Sequence, residues 1–584
     1  MTDAKHKGNS GVSRRTFGKG TAIFGAGLGL TATAAAARGT SGDVIEEVVD
    51  VVVLGTGAAG SVAALFAHHG GAKVLMLDKG AMRGGTSAKS GGNYWIANNP
   101  AMRAAGLIDE KDDFLRYVVR NSFPESYDPD ASFFGASADG YELLSTFYDK
   151  GSEMVEDLER MGILHSKMFE FLNHPMVDYR TQYPENKAPA GRGLSPVMPE
   201  GESGAGDGLM ALLHSAIDKA GIRSMTRASA TELIMSGNRV AGVAGNLYDG
   251  KAFRIAARKG VVAATGGFAH NPALLRRFHK NPVFGACAAP TSTGDLIELT
   301  GRIGVQIGNV GGAWRGPVIL QEALQYQATP IDTFGTFADS MIYVDKYGRR
   351  AVNERRSYHD RAKAMYQWDP GQTEYPRLFN FVIYDQRAAE LFGGIMPFPV
   401  LPDDGNYVFS GDTLGDLAAS IRSYLDEVGP QIGGVQISDD FAETLRSEIA
   451  RFNEFAVKGE DLDFGRGNNP LDQYMPPVAP GSDWPANDKP QANMYPISAQ
   501  GPFYAIILAP GLLDTSGGPV IDSQARIIAS DGTPVEGLFG AGNCIASPAR
   551  DSYWAAGCTL GLAMTFGMIA GQSAATAHVA GEQS

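Results

Sequence analysis

The apolar positions of the chain fall into two kinds of run. Val48–Leu54 is continuous, apolar and rich in β-branched residues, the pattern of a strand buried on both faces of a parallel sheet. Ser61–His68 is alanine-rich and predicts a helix, and Lys73–Leu77 predicts a second buried strand. The same continuous pattern returns at Val261–Thr265 and in the run closed by Gly537–Asn543, and Thr559–Gly571 reads as a further helix. Between these segments the character changes. Pro, aromatic and charged residues become more frequent, and short strands are predicted at Ser340–Val344 and Leu378–Tyr384. Residues 440–457 place Phe441, Leu445, Ile449 and Phe452 on one helical face, the period of an amphipathic helix. The pattern is that of an α/β fold with a parallel sheet built from residues 48–282 and 501–584, interrupted by an inserted α+β catalytic or substrate domain at 283–500.

The junction after the first strand reads Gly55-Thr56-Gly57-Ala58-Ala59-Gly60. A G-x-G-x-x-G string alone is weak evidence. Here it sits between a strand and a helix, and Asp78 ends the next strand with 17 residues intervening from Gly60, which is the context of a Rossmann-like dinucleotide site. Gly55 makes the turn, Gly57 lets backbone approach a pyrophosphate, and Gly60 lets the helix pack on the strand. Free N–H groups at the helix start face the phosphates, and Asp78 accepts from an unphosphorylated ribose. The next loop, Gly84-Gly85-Thr86-Ser87-Ala88-Lys89-Ser90-Gly91-Gly92, has no use in a nicotinamide domain but suits backbone and hydroxyls running along a flavin. FAD is therefore the expected cofactor. Its candidate contacts are Gly55, Gly57, Ala58, Ala59, Gly60, Asp78, Lys79, Gly85, Thr86, Ser87, Ser90, Gly91 and Gly92. Later in the chain they are Gly266, Gly267, Gly542, Asn543, Thr559 and Leu560.

Composition narrows the remaining classes. Glycine numbers 74 of 584 residues, roughly double the usual share of ~7%, with no collagen period. Three cysteines form no CxxC, and the ten histidines show no metal-ligand spacing, so neither a catalytic metal nor attached haem is expected. Arg14-Arg15 precede an apolar Gly/Ala-rich run from Thr21 to about Ala37, the layout of a twin-arginine export signal over residues 1–37 and hence of an extracytoplasmic protein. That segment holds five basic residues and one acid, so its removal takes the net charge from −14 to −18. Such a polyanion repels nucleic acid. No other stretch reaches 18 charge-free apolar residues, so no membrane span is expected.

With these strings in place the sequence resembles the flavin-dependent 3-ketosteroid Δ1-dehydrogenases, within the wider superfamily that includes soluble fumarate reductases. The resemblance runs from about residue 50 to 572. It is carried by GGTSAKSGG at 84–92, ATGGFAHN at 264–271, STGD at 292–295, AWRGP at 313–317, the VNE of 352–354 with Tyr358, DFGRG at 463–467, GPFYA at 501–505 and the terminal AMTFG. It implies a glutathione-reductase type of FAD domain, a small-molecule substrate that is a steroid-like enone or ketone, and a diffusible or protein electron acceptor.

The resemblance also implies an active site of tyrosines. Tyr553, followed four residues later by Gly557, matches the pair that holds the substrate ketone as an oxyanion hole. Tyr358 matches the base that removes a proton beside the carbonyl, after which a hydride passes to the flavin. A third tyrosine that polarises the base belongs to the segment Asp178-Tyr179-Arg180-Thr181-Gln182-Tyr183, where Tyr179 and Tyr183 are both candidates. A tyrosine base needs its pKa drawn down toward working pH; His359 and Arg356 are either nearby groups that contribute or ordinary surface charges. One departure from the family pattern is the charged pair Arg550-Asp551. Arg550 either pairs with Asp551 or faces the pocket. The second case would bring a carboxylated substrate, or the reductase chemistry of fumarate-reductase relatives.

Overall fold

The computed structural model describes residues 44–579 apart from 172–173, 331–336, 396, 402–405 and 475–486; the expected export signal at 1–37 lies outside the described residues. Ile45–Leu54 is the central strand of an eight-stranded sheet, with Ala252–Ala263 and Val74–Leu77 pairing parallel on either side. Arg223–Met225 extends the sheet beyond Val74–Leu77, and Pro534–Gly540 extends it beyond Ala252–Ala263. An antiparallel flap, Ala228–Ser236 with Arg239–Leu247, hangs from the long strand 252–263. Four of these parallel strands end in register, with Leu54 beside both Leu77 and Ala263, and Ala263 beside Gly540. Their outgoing loops are stitched together at that edge. Gly55 N–H donates to Leu77, Ala264 N–H to Leu54 and Ala541 N–H to Ala263. This is the carboxyl edge, where open α/β sheets bind ligands.

Two helices fix the geometry of that edge. Ala58–His69 follows the first strand, and Cys558–Thr576 crosses it closely. A β-carbon on Gly567 or Gly571 would fall 2.5 and 2.3 Å from the carbonyl oxygens of Ala59 and Ala63, so the two helices meet backbone to backbone. Both are apolar nearly all round and buried, as expected of helices inside a large core.

The second unit is built around Phe503–Thr515. This strand pairs antiparallel with Ala313–Ile319, Asn380–Asp385 and Val408–Gly411, and parallel with Gly285–Ala286. Met341–Val344 adds an outer strand. Helices Leu414–Ile432 and Phe441–Lys458 bury Leu417, Ile421, Leu445 and Phe452 against its face. The expected return to the first sheet at residue 501 is therefore displaced. Residues 503–515 are the hub of the inserted sheet, and the chain rejoins the first sheet only at Arg526–Ile528. The run Phe503–Leu513 carries apolar residues on both faces, which reads equally well as a strand of either sheet. Among the described residues no helix is long and apolar enough to cross a membrane.

Candidate active site

The fingerprint turn shows why its residues are needed. Gly55 has φ of 106°, and a β-carbon there would lie 2.2 Å from the Ala264 carbonyl oxygen, so no L side chain fits. The next helix starts after Gly57 with no cap from that residue's side chain; Ala58 N–H is taken by Ser87 Oγ, leaving the N–H groups of Ala59 and Gly60 for a ligand. Asp78 is fixed at the adjoining strand end. One carboxylate oxygen accepts from Thr56 N–H (3.0 Å) and the Thr56 hydroxyl (2.5 Å), the other from Gly80 N–H (2.7 Å).

The glycine/hydroxyl segment is a loop broken by a short helix, Gly85–Lys89. Its hydroxyls brace the cradle: Ser87 Oγ accepts from Ala58 N–H (3.1 Å), Thr86 Oγ1 from Ala289 N–H (3.0 Å), and Ser90 Oγ from Gly92 N–H (3.1 Å). Lys79 is ion-paired with Asp295 at 2.6 Å and also donates to the Thr293 hydroxyl. Gly266, Gly267, Gly542 and Asn543 close the opposite wall. Asp514, buried and with its pKa raised by that burial, accepts from Gly267 N–H (3.1 Å), Ser292 Oγ (3.2 Å) and Asn543 Nδ2 (3.2 Å). Asn543 in turn accepts from Trp314 Nε1 at 3.0 Å. A cleft opens between Trp314, Asn543, Ser547 and Thr559. Thr559 Oγ1 is buried at the start of the long terminal helix, within influence of the Tyr553 phenol, yet has no well-formed hydrogen bond among the described residues. An uncapped helix start, a fixed ribose-type acceptor and an orphaned hydroxyl beside a helix N-terminus fit FAD.

A family model described as an FAD binding domain matches residues 50–560. The chain belongs to that FAD-binding family. It is 32% identical to 4-oxocyclohexanecarboxylate 2-dehydrogenase of Sinomonas cyclohexanicum, over 90% of this chain and 92% of the relative. It is 28% identical to 3-oxosteroid 1-dehydrogenase of Mycolicibacterium smegmatis, over 89% and 96%. Among solved structures it is similar to 3-ketosteroid delta1-dehydrogenase from Sterolibacterium denitrificans in complex with 1,4-androstadiene-3,17-dione. The TM-score is 0.75 with 25% identity, covering 91% of this chain and 99% of that one.

Within this FAD-binding protein the tyrosines assemble from three distant segments. Tyr179, Tyr358 and Tyr553 lie with ring centroids 5.5 to 5.8 Å apart, each at most 6% exposed. The Tyr358 phenol lies close enough to those of Tyr179 and Tyr553 for each to perturb the ionisation of the others. Tyr183 stands outside the cluster, its ring 4.1 Å beneath the Arg120 guanidinium. Of the two candidates in that segment, Tyr179 is therefore the one that meets the other phenols. Gly557 precedes the terminal helix with φ of 89°. A β-carbon there would lie 2.8 Å from Tyr94 N, and among the described residues its N–H has no acceptor.

Each arm of the cluster has its own anchor. Tyr179 N–H donates to the Trp554 carbonyl at 2.8 Å, tying the first arm to the third. Tyr358 is the first residue of the helix Tyr358–Ala364, capped by Ser357. His359 stacks on Tyr553 with centroids 5.9 Å apart, and its Nδ1 accepts from Arg315 N–H at 3.2 Å. Trp314 packs edge-on against Tyr553 at 5.3 Å. Behind Tyr179, Asp178 is wholly buried, accepting from Trp95 Nε1 (2.7 Å) and Arg192 (2.6 Å); Arg192 also forks onto Asp109. Burial lifts the Asp178 carboxyl to about 6 against the pull of Arg192.

The electrostatics differ from those expected. Burial pushes Tyr179 and Tyr358 well above the ordinary phenol range and Tyr553 up to about 12. His359 is neither a surface charge nor a cation that could lower Tyr358: it is buried, and burial drives its pKa down to about 4. Arg356 is not among the groups that shift the phenol. Arg550 also departs from both expectations. Its guanidinium pairs with Glu125 (2.5 Å) and donates to the Ser122 carbonyl over the face of Phe123. It therefore neither pairs with Asp551 nor enters the cluster. Asp551 instead meets Lys363 (3.0 Å) and Arg315 (3.5 Å). Asp514, Trp314 and Arg192 were missed as site residues. Trp314 falls within AWRGP at 313–317, whereas Asp514 and Arg192 carry no local pattern that sets them apart from surface charges.

Proposed function

We propose that the protein is an FAD-dependent dehydrogenase that introduces a carbon–carbon double bond beside a ring ketone, with a 3-ketosteroid-like compound as the leading substrate class. The convergence of Tyr179, Tyr358 and Tyr553 next to Gly557, beside the cofactor cradle, carries the reading. The relatives named above act on a 3-oxosteroid and on 4-oxocyclohexanecarboxylate, two compounds that share only the ring ketone. The Tyr553 phenol and Gly557 N–H bind the ketone oxygen and stabilise the negative charge that grows on it. Tyr358 takes the proton from the adjacent carbon, and Tyr179 supports the charge on Tyr358. Bound FAD supplies the two-electron acceptor for the hydride that leaves the neighbouring carbon. Proton and hydride together account for the two hydrogens lost. Because Arg550 is turned onto Glu125, reduction of a carboxylate substrate through that residue has no support.

The test is anaerobic mixing of the holoenzyme with 4-androstene-3,17-dione and with 4-oxocyclohexanecarboxylate. Bleaching of the visible flavin absorbance by either ketone is expected, with a product two hydrogens lighter. A panel of ring ketones that leaves the flavin oxidised overturns the reading. We also infer export by the twin-arginine route from Arg14-Arg15 and the run after Thr21. An Arg14→Lys, Arg15→Lys double variant retained in the cytoplasm supports export, and unchanged secretion contradicts it.

A further inference from the structure

Two charged residues that the scheme above does not use sit beside the tyrosines. Arg180 follows Tyr179 directly, and Asp360 lies two residues after Tyr358. The Arg180 guanidinium forks onto both Asp360 carboxylate oxygens. Asp360 also accepts from the hydroxyl of Ser357 at 2.7 Å, and Ser357 caps the helix that Tyr358 opens. The pair is largely enclosed, with side chains 18% and 23% exposed. Burial opposes ionisation of both groups, and each outweighs that for the other. Asp360 is held far below the usual carboxylate range and Arg180 is raised.

We propose that Arg180 and Asp360 are positioning residues that clamp the Tyr179 segment to the Tyr358 helix and hold the local charge at zero around the phenol pair. The proposal rests on the reading that Tyr358 is the base. A bidentate guanidinium–carboxylate fork fixes both distance and plane. It joins two segments 180 residues apart at the point where their hydroxyls must meet. Neighbouring bonds pin the Tyr179 segment to a third stretch of chain. Thr181 Oγ1 donates to Asn469 Oδ1 (2.7 Å), and Asn469 Nδ2 donates to Gln182 Oε1 (2.7 Å). The charge argument has a definite sign. The ionisable groups acting on Tyr179 are Tyr553, Tyr358, Cys558 and Asp360. Those acting on Arg180 are Asp360, Tyr183 and Tyr117, and His359, neutral, also faces Asp360. Asp178, behind Tyr179, shares Arg192 with Asp109, a group that is the same in every variant. Arg180 and Asp360 are thus the charged pair whose halves can be removed separately. Without Asp360, a bare guanidinium favours phenolate. Without Arg180, a bare carboxylate opposes it.

The experiment is single-turnover flavin reduction across pH, with whichever of the two ketones reduces the wild-type holoenzyme. The variants are Asp360→Asn, Arg180→Gln, Arg180→Lys and, as a reference, Tyr358→Phe. Both neutralising variants are expected to reduce FAD roughly tenfold or more slowly, since small misplacements at a reacting centre cost up to about a hundredfold, with flavin content unchanged. The half-maximal pH is expected to move down in Asp360→Asn and up in Arg180→Gln. Arg180→Lys keeps the charge without the fork, so its rate falls while its pH profile stays near wild type; it also serves if the neutral variants do not fold. Rates within twofold of wild type, or profiles that move the same way or not at all, overturn the clamp. If Tyr358→Phe is fully active, the base assignment itself fails, a result separate from the clamp's failure.

Discussion

The cofactor cradle and the tyrosine cluster lie side by side but are built in opposite ways. The cradle draws its first wall from 38 consecutive positions, 55 to 92, and is shaped mainly by backbone: a turn only glycine can make, an uncapped helix start, hydroxyls that brace loops. The cluster collects one phenol each from residues 179, 358 and 553 and holds them by long-range bonds such as Tyr179 N–H to Trp554. Backbone recognition leaves a local string in the sequence. Side-chain convergence leaves almost none.

The two regions should therefore fail differently. The largest effect is expected from Gly55→Ala, whose φ of 106° and 2.2 Å clash with the Ala264 carbonyl cost about 3 kcal/mol or more by comparison with other strained positions. Thermal unfolding should fall and the purified protein should lose its flavin absorbance; a yellow, stable variant would break the contrast. Next, Tyr553→Phe should slow flavin reduction by about a hundredfold, the usual loss for one oxyanion donor, while flavin content and melting temperature hold.

Because burial raises all three phenols, the reduction rate of the wild type should climb with pH and show no plateau below about pH 9, since even an unburied phenol titrates near 10. The base must be ionised to accept the proton, so the rate is lost as pH falls. A plateau near neutrality would show that the phenols are not buried as described. The smallest effects belong to Tyr183→Phe and Arg550→Ala, which should leave the reduction rate within about twofold, as expected for residues outside the reacting centre. A large loss in either would return that residue to the site.

Much of the first region was legible from residue order. The strand ending at Leu54, a helix over 61–68 (58–69 in the fold) and Asp78 at the next strand end follow from periodicity and one motif. The site was legible only where a family string carried it, as for Tyr358, Tyr553 and Gly557. The choice of Tyr179 over Tyr183 needed the fold, because two tyrosines four residues apart are equivalent until Trp554 and Arg120 claim one each. Arg550 illustrates the same limit. Its neighbour in sequence, Asp551, is not its partner, because a φ of 56° at Arg550 belongs to a turn that carries the guanidinium out to Glu125. Asp514 and Arg192 look like surface charges in the sequence and are buried hubs in the fold.

The central claim is that Tyr358, held in a buried cluster of phenols, removes the proton beside the ketone. Single-turnover reduction of Tyr358→Phe holoenzyme by a ketone that bleaches the wild type tests it most directly. The expected result is a loss of about a hundredfold or more, in the range of general-base removal, with flavin content and spectrum unchanged; a rate within twofold of wild type would contradict it.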